Sequence, residues 1–170
     1  MTTEFPHASV SAAVIVSDEL PYGVEELGRT IQSVLAQDYP VSSILVPDGR
    51  ANPTAADLGG DDRVRHLPGE YATRAAAYNA ALEACEADYL LLIFAHSAPV
   101  TLKQSAVQTM LMAATRGASA HEAVPEIGFV YADYERIQPD GTRAEVHLLD
   151  WHAGRLRDTV DFGFAVLLRT

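Results

Sequence analysis

If chemistry is concentrated anywhere in this chain, it is where the unbroken apolar run Tyr89–Phe94 gives way to Ala95, His96 and Ser97. Open α/β sheets bind their ligands outside the carboxyl ends of the strands, so this run end is the expected site. His96 can ligate a metal through an imidazole nitrogen, or serve as a loop histidine bonded to backbone. One histidine, even helped by Asp133 or His152, is a poor site for a hard cation that prefers several oxygen ligands. His121-Glu122 and the group His147, Asp150 and His152 lack recognised metal-ligand spacing. No G-x-S-x-G, Walker loop or C-x-x-C occurs, and no G-x-G-x-x-G follows the first strand candidate, which removes a Rossmann dehydrogenase as the rival reading.

The elements that must position this end follow from hydrophobic period and turn residues. Val10–Val16 is a buried-strand pattern closed by Ser17-Asp18-Glu19. Leu27, Ile31, Val34 and Leu35 form a helical stripe, which Gln37-Asp38-Tyr39-Pro40 stops. Ser43–Val46 is a short strand ending near Asp48-Gly49, and Arg63–Leu67 is a third, with Val64 and Leu67 as inward candidates. Residues 51–62 read as a loop or a short irregular helix. A helix from about Thr73 places Tyr78, Ala81, Leu82 and Cys85 on one face, and Tyr89–Phe94 has the continuous apolar character of a central parallel strand. Pro99 and Thr101 open another helix with the stripe Leu102, Ala106, Met110 and Ala113, and Gly117 stops it. Ile127–Ile137 reads as one strand, paired through the turn Pro139-Asp140-Gly141 with a return strand Arg143–Leu149.

A length of 170 residues and 48% hydrophobic content support one domain, with residues 1–9 as a flexible tail and 10–170 as the folded unit. The formal net charge of -11 repels phosphate backbones and anionic lipid, so nucleic acid and membrane surfaces are not expected partners. Cys85 is alone, which excludes an internal disulfide and cysteine-cluster metal sites, and its place on an apolar helix face makes it a packing residue. No basic leader precedes the first apolar run and no run approaches the roughly 20 residues that span a bilayer, so no direct membrane insertion is expected and the expected location is cytoplasmic.

Three stretches resemble family 2 inverting glycosyltransferases of the GT-A fold. Thr30–Pro40, TIQSVLAQDYP, is the closest match, Ala77–Ser97 is similar nearly position by position, and VYADYERIQPDGTRAE is similar to the segment between donor and acceptor sites. The likeness covers about Val10 to Arg169 and implies a three-layer α/β fold with a mostly parallel sheet, strand order near 3-2-1-4 and an appended hairpin. It also implies that this is the donor-side part, with the acceptor-side region that carries the catalytic base missing. Carried over by position, it points to Asp18, Asp48, Arg74, Asn79, Ala95 and His96 as nucleotide-sugar contacts, with Mn or Mg as cofactor. Asp48 is either a uridine contact or part of an ordinary Asp-Gly turn, and Arg74 either approaches the nucleotide or is a solvated surface residue.

The sequence departs from the family where chemistry is done. The Asp-x-Asp that holds the metal stands here as Phe94-Ala95-His96, and the Arg expected before Asn79 is Tyr78. Two functions are therefore compatible with the likeness. One is a nucleotide-sugar-dependent transferase, either with unusual metal coordination or with its missing part supplied elsewhere. The other is a non-catalytic binding or interaction module that works with a second copy or a partner protein.

Overall fold

The computed structural model describes residues 7–16, 23–48, 60–95, 99–115, 127–148 and 162–170. Four parallel strands form the heart of the sheet: β1 (Val10–Val16), β2 (Ser43–Asp48), β3 (Val64–Pro68) and β4 (Tyr89–Ala95). Their order is β3-β2-β1-β4, in agreement with the sequence. β5 (Phe129–Tyr131) closes the far edge, and β8 (Ala165–Arg169) lies between β4 and β5, antiparallel to both. β6 (Tyr134–Ile137) and β7 (Arg143–Val146) form a separate two-stranded hairpin.

β1 and β4 are buried because their sequences, VSAAVIV and YLLLIFA, put apolar side chains on both faces of the pleat. Val10, Ala12, Val14, Leu91, Ile93 and Ala95 face one layer, while Ala13, Ile15, Leu90 and Leu92 face the other. Ser11 is the polar exception inside β1. Its hydroxyl is satisfied by Ser42 and Ser43 at 3.1 and 2.8 Å, so its burial leaves no orphaned group.

Among the described residues, α1 (Val24–Leu35) and α3 (Ala106–Thr115) pack on the first layer, and α2 (Arg74–Ala84) packs on the second. Chain direction accounts for α1 and α2. The step from β1 to β2 runs toward one edge and the step from β3 to β4 runs back, so crossovers of one hand place their helices on opposite faces.

Two helix faces are rotated from their sequence reading. On α2 the buried residues are Ala77 and Ala81, with Tyr78, Ala84 and Cys85 at the flanks, while Leu82 is 39% exposed. Small alanines let this helix lie close on β1 and β2, and that close approach, not the larger side chains, sets the buried face. α3 begins at Ala106, later than Pro99–Thr101 implied, and buries Val107, Met110 and Leu111. Leu102 still joins the core from the segment before the helix.

That segment explains the strongest stretch of resemblance, Thr30–Pro40. Ile31 and Val34 pack on the sheet as expected, but the polar residues act as clamps. The Ser33 hydroxyl accepts from Leu102 N at 3.2 Å. The Gln37 amide donates to the carbonyls of Ser33 and Lys103 at 2.9 and 3.0 Å, and its oxygen caps α3 by accepting from Val107 N at 3.0 Å. Asp38 N donates to Gln104 O at 2.9 Å, and the Tyr39 hydroxyl donates to Ala8 O. Gln37→Ala is therefore expected to cost about 1–3 kcal/mol, because a helix-terminal N–H and two carbonyls lose this partner. A lowered urea midpoint at unchanged slope will show it, whereas an unchanged midpoint means the clamp is replaced by solvent.

The expected strand Ile127–Ile137 is broken. Its first part is β5 in the main sheet and its second is β6 in the hairpin, parted at Ala132 and Asp133. The hairpin turn matches its sequence signal: Gly141 has φ +84°, Asp140 accepts from Thr142 N at 2.9 Å, and Gln138 and Thr142 pair through their backbones. Ser9, placed in the tail by sequence, bonds through its amide and hydroxyl to the Asp88 carboxylate, both at 2.7 Å, and so fixes the start of β1 beside the start of β4. Residues 1–6, Gly117 and Trp151 lie outside the described residues.

Candidate functional site

The parallel strands bring their carboxyl ends, Val16, Asp48, Pro68 and Ala95, to one edge of the sheet. β1 and β4 are neighbours here, in register from Val10↔Tyr89 to Val16↔Ala95, and their onward connections leave in opposite directions. Ligand crevices of open sheets form at such a point. The N-terminus of α2 is at the same edge, since this helix enters from the end of β3. Thr73 caps it, its hydroxyl accepting from Ala76 N at 3.2 Å.

The sequence-derived site residues divide into three groups. Asp18 and His96 lie outside the described residues, and Asp48 is the last residue of β2, opposite Pro68. Arg74, the first residue of α2, and Asn79, further along it, are both exposed. Ala95 ends β4 at 1% exposure, turned into the core layer of α1 and α3.

Phe94 takes the opposite direction. Its half-buried ring packs on the α2 layer and meets the ring of Tyr78 at 5.2 Å between centroids, with 54° between planes. Two of the positions at which the resemblance implies a charged residue thus touch each other. Sequence reading treated them separately, because one belongs to a helix pattern and the other to a strand pattern. Burial pushes the Tyr78 hydroxyl above its usual pKa, with Arg74 opposing the shift, so it stays protonated at neutral pH.

Positions 94 and 95 both pack into apolar layers, and neither side chain carries an oxygen that could ligate a metal ion. Among the described residues, no three His, Cys, Asp or Glu side chains converge on a point that could hold a metal ion. Asp133, considered as a helper for His96, has both oxygens engaged: one accepts from Leu148 N at 2.7 Å, and the other bonds His147 Nδ1 at 2.8 Å.

The hairpin joins the same edge through aromatic and backbone contacts. Phe94 N donates to Phe164 O at 2.9 Å, and the Phe164 ring meets Tyr134 edge-on at 4.9 Å. Gly163, at φ +69°, makes this close approach possible, since a Cβ there would lie 3.2 Å from Ala132 O. Glu135 on β6 takes Lys103, the chain's single lysine, at 3.3 Å and Arg143 at 3.1 Å, which ties the hairpin to the segment before α3 and holds the Glu135 carboxyl below its usual pKa.

His147 sits between Asp133 and, at 3.7 Å, Glu145. The hydrogen bond and charge of Asp133 raise its pKa, while the bond from His147 lowers that of Asp133. A raised histidine pKa contributes stability fully below the ordinary value of about 6.5 and loses it as pH rises through the folded value; a lowered aspartate pKa contributes above about 3.9 and is lost on acidification. The hairpin is therefore held best between those two pH values. An NMR titration of His147 should show its midpoint falling toward about 6.5 in Asp133→Asn, and an unmoved midpoint would rule out this pairing.

No protein-family model matches this chain, and a search of curated proteins finds none similar to it.

Proposed function

We propose that this chain is a glycosyltransferase-like domain of the GT-A, family 2 type, derived from a nucleotide-sugar-dependent transferase. The supporting observation is a sheet of order β3-β2-β1-β4 with an antiparallel strand inserted beside β4 and a hairpin at its carboxyl edge, together with the motif stretches at Thr30–Pro40 and Ala77–Ser97. In this reading Asp18, Asp48, Arg74, Asn79 and His96 contact the nucleotide-sugar, Ala95 being turned into the core, and His96 is the remaining candidate ligand for Mn or Mg.

An inverting transfer needs a held donor, a stabilised leaving diphosphate and a base for the acceptor hydroxyl. The Tyr78–Phe94 contact works against the second requirement, because two rings stand where charged groups would compensate the diphosphate. It favours the second reading, a non-catalytic module acting beside a partner protein or a second copy. Phe129 at 45% and Ile137 at 57% exposure are apolar surface that such a partner would cover.

Titration with UDP and GDP, with and without Mn, separates the two. Metal-dependent micromolar binding supports an active transferase, and no binding supports the module. Light scattering on the same samples tests the partner: a monodisperse monomer at high concentration removes self-association.

A further inference from the structure

The two edges of the main sheet differ in chemistry. β3 is blunted: Arg65 lies exposed on it, Pro68 ends it without an N–H, and the Val64 N–H is already bonded to Asp61 O at 2.9 Å. Charges and proline are the usual means of keeping an edge strand from pairing with another chain. β5 has neither. Residues 127–132, IGFVYA, carry no charge and no proline, in a protein whose net charge is -11.

The register of β5 shows what its edge offers. Arg169 N donates to Gly128 O at 3.0 Å, so Gly128 and, two residues on, Val130 turn their backbones to β8, while Phe129 between them turns its N–H and C=O outward. Among the described residues neither group has a partner. Val130 packs on the layer of α1 and α3, so the Phe129 ring points to the other face, where it meets Phe162 edge-on at 5.2 Å and stays 45% exposed. A free donor and a free acceptor on one residue are what an added antiparallel strand satisfies.

Three features select a second copy as that strand. A two-fold axis through Phe129 lets the two Phe129 backbones exchange both bonds and sets residues 127–131 against themselves, with no charge on either side. Two copies of like net charge repel elsewhere, so approach is least opposed along this neutral strip. The blunted β3 does not take up β5, so pairing closes as a dimer and does not run on as a filament. On the reading of this chain as a module that works with a second copy, we propose that β5 pairs with β5 of that copy, antiparallel about a two-fold axis through Phe129, and joins the two sheets into one.

Sedimentation equilibrium of the whole chain up to about 1 mM, beside NMR of a mixed labelled and unlabelled sample, tests this. The contact is short, so the expected result is a dimer with Kd on the order of 0.1 mM. An NOE from Val130 Hα of one copy to Gly128 Hα of the other should accompany it, because these residues face each other in that register. Phe129→Lys sets two ammonium groups against each other on the axis and should weaken the dimer about tenfold, while Phe129→Leu keeps the backbone pairing and should weaken it less. A dimer equally tight in Phe129→Lys, a dimer without that NOE, or growth into larger species overturns the edge pairing and leaves the second-copy reading in place. A monomer at about 1 mM overturns both, and a different protein is then the partner of the non-catalytic module.

Discussion

Phe94→Asp is expected to destabilise the protein by about 2–3 kcal/mol, below the full cost of an unpaired buried charge because the site is half-buried. The new carboxylate would sit against the Tyr78 ring and the alanine face of α2, where burial raises its pKa. The loss should accordingly shrink below about pH 4, where the carboxyl is neutral. Adding Tyr78→Arg restores an ionic pair at the same contact, and the double variant should recover about 1–2 kcal/mol relative to the sum of the singles. Urea unfolding of the four proteins measures this coupling. A neutral Phe94→Asp, or strict additivity, would show that the two departures are independent and that the aromatic contact does not define the tip.

Leu91→Ala should have the largest effect on stability, about 2–5 kcal/mol. Leu91 is fully buried, pairs with Ala12 on β1 and Leu167 on β8, and faces the core under α1 and α3. Closely packed β-sheet neighbours cannot collapse into the space left, so the cavity term adds to the lost transfer free energy. Against a typical total of about 5–15 kcal/mol this is a large fraction, and Tm should fall by about 2–4 °C for each kcal/mol. Val130→Ala, at the partly exposed edge strand, should cost clearly less. Equal costs would mean that β8 and β5, not β4, form the mechanical centre of the sheet.

Much of the fold was legible because it rests on local pattern. The continuous apolar runs of β1 and β4 can only be buried on both faces, the stripe of Leu27, Ile31 and Val34 has helical period, and Pro139-Asp140-Gly141 demands a turn. Even the order β3-β2-β1-β4 could be anticipated from a family resemblance carried by these same packing residues. The face of α2 was misjudged because side-chain size suggested Leu82 inside, while the approach distance of the helix selects Ala77 and Ala81.

What remained hidden depends on contacts between residues far apart in the chain. The run Ala165–Arg169 has the hydropathy of any buried strand, and nothing in its composition states that it enters between β4 and β5 or runs antiparallel to them. The break at Asp133 arises because its carboxylate is drawn to Leu148 N and His147, a competition that the apolar pattern of Ile127–Ile137 does not record. The candidate site shows the same division. Residue identities alone determined that positions 94–96 carry no carboxylate, whereas the pairing of Phe94 with Tyr78 was decided by the packing of α2 on the sheet, because a strand's alternation and a helix's turn meet only when the two elements are brought face to face.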